Sequence, residues 1–248
     1  MRETPMVMQQ LQKTAVFVHG AGGSGWEWNV WRRVFAANSW DCSAPDLQPA
    51  PAGLVATRLV DYVDQVVAAA KASAVPPVPH QTPVLIGASL GGLLALAAGT
   101  RVAVAALVLI NPLPASGHAD SVDEGDADGI VPWRSQRKLA STLRALPDAD
   151  DAARLFAFRH WRDESAAVLR EARRGIATRV PSCPILVLAS EHDADAPLAT
   201  SLELAVSLGA ESRVLRGASH VGPLLGRRGS VYAEETLVWL RRALIAAT

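Results

Sequence analysis

The chain has 248 residues, 24 basic and 24 acidic side chains, half of its residues hydrophobic, and two cysteines. One α/β domain accounts for that length, and a chain of this size can bury roughly 70% or more of its unfolded surface. Zero formal net charge, with no basic stripe carrying interleaved aromatics, argues against a nucleic-acid partner, and Cys42 and Cys183 supply neither a disulfide framework nor a metal-site spacing.

The first thirteen residues carry Arg2, Glu3, three glutamines and Lys13 around no apolar core, so no secretory signal is read there and a cytoplasmic location is expected. Residues 14–18 then read as a buried strand running into the glycine-rich stretch His19-Gly20-Ala21-Gly22-Gly23-Ser24-Gly25. A helix is expected over 26–37, a strand over 40–44 and a helix over 54–72, followed by a proline-stiffened linker from Ala74 to His80. Strand 83–88, helix 90–99 and strand 105–110 come next. The apolar stretch from Leu93 to Ile110 approaches the length of a membrane span, but Gly99-Thr100-Arg101 divides it into a helix and a strand. From Leu113 to Pro181 the alternation breaks. An acidic, glycine-bearing loop from Asp120 to Gly129 precedes helical stretches at 134–146, 149–160 and 164–175. Strand 184–189, helix 197–208 with Pro197 at its first position, strand 211–215 and helix 230–246 complete the chain.

The most informative string is Gly87-Ala88-Ser89-Leu90-Gly91, set between a strand and a helix. That context turns G-x-S-x-G into a nucleophile elbow, in which a strained serine stands clear at the carboxyl edge of a sheet. An ordinary turn serine is the plainer alternative. The glycine-rich loop after the first strand can aim backbone N–H groups inward as one arm of an oxyanion hole, here Ala21 with Gly22 as the near alternative. The other arm is the N–H of Leu90. A phosphate cradle fits less well, because neither G-x-G-x-x-G nor a Walker lysine is present. Downstream, Asp193 and His220 each lie in a loop just after a strand, in the chain order serine, acid, histidine. His220 could then take the Ser89 proton while Asp193 holds its tautomer, with Glu191 and Asp195 as nearby alternative acids.

With these residues the chain resembles the α/β-hydrolase superfamily over nearly its whole length. The likeness rests on His19-Gly20, the Gly87 to Gly92 elbow, Glu191-His192-Asp193 with Pro197, Ser219-His220, and Ala44-Pro45-Asp46-Leu47 after the second strand. It implies a mostly parallel sheet, here of six strands as in the smaller members that include methylesterases and hydroxynitrile lyases, flanked by helices. It also implies a core of residues 1–112 and 182–248 and a helical cap at 113–181 above Ser89. Some members draw their acid from the end of an earlier strand; that place holds Asn111, which cannot carry the charge. Candidate pocket residues are Gly22, Trp26, Trp133, Phe156, Trp161 and Val221, although aromatics at helical spacing are more often plain core. The arginines of the insertion are expected to form a solvated face with Asp163, Glu164 and Glu171.

The expected chemistry is two-step acyl transfer on a small or medium, largely apolar ester, with a small-molecule substrate as the partner and no metal or organic cofactor. Thioesterase, C–C hydrolase and hydroxynitrile-lyase chemistry use the same triad, the last wanting a cation such as Lys138 over the pocket. A slow-turnover ligand sensor is another reading. So is an interaction module exposing Trp26, Trp28 and Trp31, which would make them an exposed patch. Oligomeric state leaves no mark on the sequence.

Overall fold

The computed structural model describes residues 13–74, 82–114, 129–176 and 179–246. The linker from Val75 to His80, most of the acidic loop that begins at Asp120, and the segment before Lys13 lie outside the described residues.

In chain order the strands are β1 (Lys13–Val18), β2 (Trp40–Ser43), β3 (Val84–Ala88), β4 (Ala106–Ile110), β5 (Ile130–Val131), β6 (Glu164–Ser165), β7 (Ile185–Ser190) and β8 (Glu211–Leu215). The helices are α1 (Asn29–Ala37), α2 (Leu59–Ser73), α3 (Leu90–Gly99), α4 (Leu139–Ala145), α5 (Asp151–His160), α6 (Ala166–Arg174), α7 (Leu198–Ser207), α8 (Gly222–Leu225) and α9 (Gly229–Ala246). Six strands build one sheet in the order β2-β1-β3-β4-β7-β8, and every pairing in it is parallel. Both faces of such a sheet are covered, which is why its strands read as unbroken apolar runs rather than alternating ones.

The period of two still sorts those runs. Val16, Val18, Leu85, Leu107, Leu109 and Val187 enter a core with α2, α3 and α7. Phe17, Ile86, Val108, Ile110, Leu186 and Leu188 enter the opposite core with α1 and α9. Each such fully buried side chain contributes about 1.5–3 kcal/mol of burial. The helix α3 is buried over Leu90 to Ala98, so it forms the centre of its layer. It stops at Gly99, and the apolar stretch resumes only in β4. Among the described residues, no helix is long and apolar enough to cross a membrane.

Several boundaries differ from the sequence reading. Gly25–Trp28 forms a 3-10 turn ahead of α1, and Leu54–Ala56 forms another ahead of α2. The latter break is fixed by Asp61, whose carboxylate accepts the N–H of Arg58, the residue just ahead of α2, at 2.7 Å and so sets the start of the helix at Leu59. Pro197 caps α7 rather than opening it. The helices of the insertion begin at Leu139, Asp151 and Ala166, later than their apolar spacing suggests, with Asp150 and Ser165 accepting the N–H groups of Ala153 and Val168. Glu164 and Ser165 are extended instead, pairing antiparallel with Val131 and Ile130. Trp28 and Trp31 are fully buried, and Trp31 donates to the Pro223 carbonyl at 2.9 Å, so the exposed tryptophan patch does not exist.

Candidate active site

Because all six strands of the sheet run the same way, their carboxyl ends share one edge, and the loops that follow them meet there. Ser89 follows β3 directly, with φ 54° and ψ −121°, a conformation an L-residue adopts only at a cost of about 1–3 kcal/mol. The surroundings enforce it. Its N–H donates to Ile110 at 2.9 Å, and its carbonyl accepts from Gly92 and Leu93 as α3 begins. Gly91 lies so close to the end of β1 that a Cβ there would collide with the Val18 and His19 carbonyls. The helix can therefore lie against the strand only with glycine at this point.

Beside the elbow runs the loop after β1. A Cβ on Gly20 would stand 3.4 Å from the Ser89 Cβ, so this loop passes directly over the serine. His19 fixes its start. Nε2 accepts the Leu47 N–H at 2.9 Å, which puts the ring proton on Nδ1, 2.8 Å from the Gly20 carbonyl. Burial drives the His19 pKa down to about 4, so the ring is neutral and serves as a brace. Asp46, in the segment after β2, accepts the Gly25 N–H at 2.7 Å and ties down the far end of the loop.

His220 and Asp193 come together across the loops after β8 and β7. Nδ1 of His220 lies 2.7 Å from Asp193 Oδ2, and the Asp193 side chain is fully buried. Oδ1 of Asp193 accepts the N–H groups of Asp195 and Ala196, which orients the carboxylate. Burial opposes a charged His220. Its hydrogen bond to Asp193 and the negative charges of Asp193, Asp195 and Glu27 outweigh that, and hold its pKa above the usual histidine value. The alternative acids are elsewhere: Glu191 accepts the Gly217 N–H and pairs with Arg216, and Asp195 reaches His220 only as a charge. Asn111, at the end of β4 with φ 46°, donates to the His220 carbonyl at 2.7 Å and to Ser190 at 2.9 Å. It thus joins the strand that receives the Ser89 N–H to the loop that carries His220. Asp193, Asp195 and His220 offer one ligand atom each within 4.8 Å of one another, but the bonds just described already use the carboxylate and ring nitrogen that face each other.

The insertion bonds to both of these loops. Gly22, at φ 65°, donates its N–H to Glu164 at 3.0 Å, and its carbonyl accepts from Arg162 at 2.7 Å. Glu164 also accepts from the Tyr62 hydroxyl at 2.9 Å and from Ser165. It is therefore a buried acceptor and no part of a solvated face, which corrects the sequence reading. Burial and the Glu164 charge together push the Tyr62 phenol well above its ordinary value, so it stays a donor. On the other side Asp148 accepts the Ser219 N–H at 3.0 Å and its hydroxyl at 2.6 Å, one residue before His220.

The candidate pocket residues fall into two groups. Trp133 lies across Gly22, where any Cβ would run into its ring. Trp26, Trp161 and Val221 pack with Leu146, Ala149 and Ala157, and Phe156 meets the Trp26 ring edge-on at 5.5 Å. Trp133 and Phe156 keep about two-fifths of their surface exposed. Lys138 is exposed just ahead of α4. Glu27, Asp148 and Glu164 were missed by the sequence reading. Glu27 alone carried a local signal, an acid lodged between two tryptophans.

Residues 15–235 match the alpha/beta hydrolase family, and the chain belongs to it. No curated protein matches by sequence. Among solved structures, the chain is similar to a methylesterase from Arabidopsis, with TM-score 0.71 and 14% identity over 92% of this chain and 98% of that one. It is similar to tomato methylketone synthase I complexed with 2-tridecanone, with TM-score 0.71 and 13% identity over 94% and 99%. Polyneuridine aldehyde esterase superimposes with TM-score 0.67 and 15% identity over 91% and 99%. At these identities the likeness establishes the fold.

Proposed function

We propose that the protein is a serine hydrolase that cleaves carboxylic esters of small or medium, largely apolar substrates through Ser89, His220 and Asp193. The observation that carries this reading is the buried Asp193–His220 pair, held at 2.7 Å on the same sheet edge as a serine in a strained, positive-φ turn. Ser89 attacks the carbonyl carbon as His220 accepts its proton, and Asp193 stabilises the imidazolium that forms. The tetrahedral oxyanion lies between the N–H groups of Ala21 and Leu90, the latter at the positive end of α3. Ala21 is favoured over Gly22 because the Gly22 N–H is already given to Glu164. His220 returns its proton to the leaving alcohol, and water then repeats the sequence on the acyl-enzyme.

Residues 113–181 act as a cap, with Gly22, Trp26, Trp133, Phe156, Trp161 and Val221 as the residues nearest the bound acyl or alcohol part. Two of the structural neighbours are named as esterases, which favours esters among the chemistries this triad performs. A reducing, cytoplasmic setting suits the two free thiols, which burial pushes up to about 11.

A panel of p-nitrophenyl esters from acetate to octanoate, with the matching thioesters, tests the reading. Ester turnover that Ser89→Ala abolishes supports it. Preferential thioester cleavage would move the substrate class, and turnover that survives Ser89→Ala would refute the mechanism.

A further inference from the structure

The outward side of α9 is built from a repeating set of residues. Val231, Val238 and Ile245 are exposed at intervals of seven, and between them stand two exposed pairs, Glu234-Glu235 and Arg241-Arg242. Every other residue from 231 to 245 is buried or partly buried. Steps of seven return to nearly the same side of a helix, so the apolar residues form one stripe about 21 Å long. Val238 is 62% exposed at its centre and Ile245 76% exposed at its end. The sequence alone hides this stripe. Tyr232, Leu237, Trp239 and Leu240 are equally apolar, and only the fold shows that they turn inward to the core that holds Phe17.

The charges beside the stripe do not serve α9 itself. Ion pairs along a helix join residues three or four apart, and no cation stands at those distances from Glu234 or Glu235. The helix dipole acts on the first and last turns, where α9 has no acid at its start and no base at its end. Among the described residues the two glutamates form no ion pair. Arg241 donates to Asn38, and Arg242 pairs with Glu211 in a contact open to water on both sides.

About Val238 the set is antisymmetric. Glutamates stand three and four residues before it, arginines three and four after it, and Val231 and Ile245 seven to either side. A second copy laid antiparallel on α9, with a two-fold axis at Val238, sets each glutamate pair against the other copy's arginine pair. The same operation sets Val231 against Ile245. A parallel copy would instead bring like charges together.

We propose that the outer face of α9 is a two-fold interface between two copies of this chain. The inference stands apart from the serine-hydrolase reading. One helix face offers less than the roughly 800 Å² per partner of a standard interface, so the dimer is weak, micromolar and salt-sensitive.

The test is sedimentation velocity of the full chain between about 1 and 200 µM at low salt. The parent should pass from monomer to dimer across that range, and salt of about 0.5 M should shift it back. Glu234→Arg with Glu235→Arg makes the face wholly basic, and Arg241→Glu with Arg242→Glu makes it wholly acidic. Each double variant alone should dissociate at least about tenfold more readily than the parent, and a one-to-one mixture should pair again. Val238→Cys changes a single exposed residue on the axis, so diamide should link it into a disulfide dimer. Val206→Cys, on the open side of α7, should stay monomeric under the same oxidation.

A parent that remains monomeric at the highest concentration overturns the inference. So does a dimer unaltered in either double variant, or a pair of folded variants that stay apart when mixed. Cross-linking of Val238→Cys no better than that of Val206→Cys would place any dimer elsewhere on the surface and equally sink the idea.

Discussion

The Ser89 elbow and the 129–176 insertion reach the same two loops by opposite physical means. The elbow is held by apolar burial and backbone contact: Leu90 to Ala98 are buried, and Gly91 leaves no room between α3 and the end of β1. The insertion contributes Val168 and Ala172 of α6 to the main core and has a small apolar cluster of its own at Leu146, Ala149 and Ala157, but it reaches these two loops through polar bonds. Glu164 and Arg162 grip Gly22, and Asp148 grips Ser219. Close packing leaves one position for Ser89, whereas hydrogen bonds to single amides can be lost one at a time. The geometry of Ser89 is therefore built into the sheet, while the loops after β1 and β8 depend on bonds from the insertion.

Substitutions can break or sharpen that contrast. The largest effect belongs to the proposed nucleophile and its base: Ser89→Ala or His220→Ala should cost on the order of 10⁶ in kcat with the Tm unchanged, read by steady-state ester hydrolysis. Asp193→Asn should cost on the order of 10⁴, because the amide favours the wrong histidine tautomer; a loss below about tenfold would mean another acid serves. Glu164→Gln weakens the grip on Gly22 and should lower kcat by about ten- to a hundredfold with KM nearly constant, on the scale of a displaced oxyanion donor. A rise in KM at constant kcat would instead make the insertion a mere substrate wall. The smallest effect is on stability. His19 is neutral in the fold at pKa about 4 against 6.5 unfolded, so its contribution is present above pH 6.5 and lost as pH falls toward 4. Calorimetric Tm should decline across that window, and His19→Asn should flatten the decline.

Local sequence carried the elbow side of this comparison. The strands are unbroken apolar runs, the glycines at 87 and 91 are spaced for a tight strand-to-helix turn, and Asp193 and His220 follow strands directly, so sheet topology alone brings their loops to one edge. The insertion side was not legible in the same way. Glu164 and Gly22 are 142 residues apart, and beside Asp163 and Glu171 an acid looks like one more member of a solvated face. Only the approach of β6 to the loop after β1 makes it a buried acceptor. Trp28 and Trp31 were ambiguous for a related reason: the spacing of three marks a helix face but not which side meets Phe17 and Phe35. The residues closest to the proposed chemistry were readable because their neighbours in sequence determine their geometry. Those that hold the loops were hidden because their partners lie elsewhere in the chain.

The central claim, that Ser89 is an activated nucleophile, is tested most directly by intact mass and peptide mapping after treatment with a fluorophosphonate, comparing the parent with Ser89→Ala. The account predicts one adduct per chain, located on the Ser89 peptide and absent from the variant. Folded protein that takes up no label, or that carries it on another residue, would contradict it.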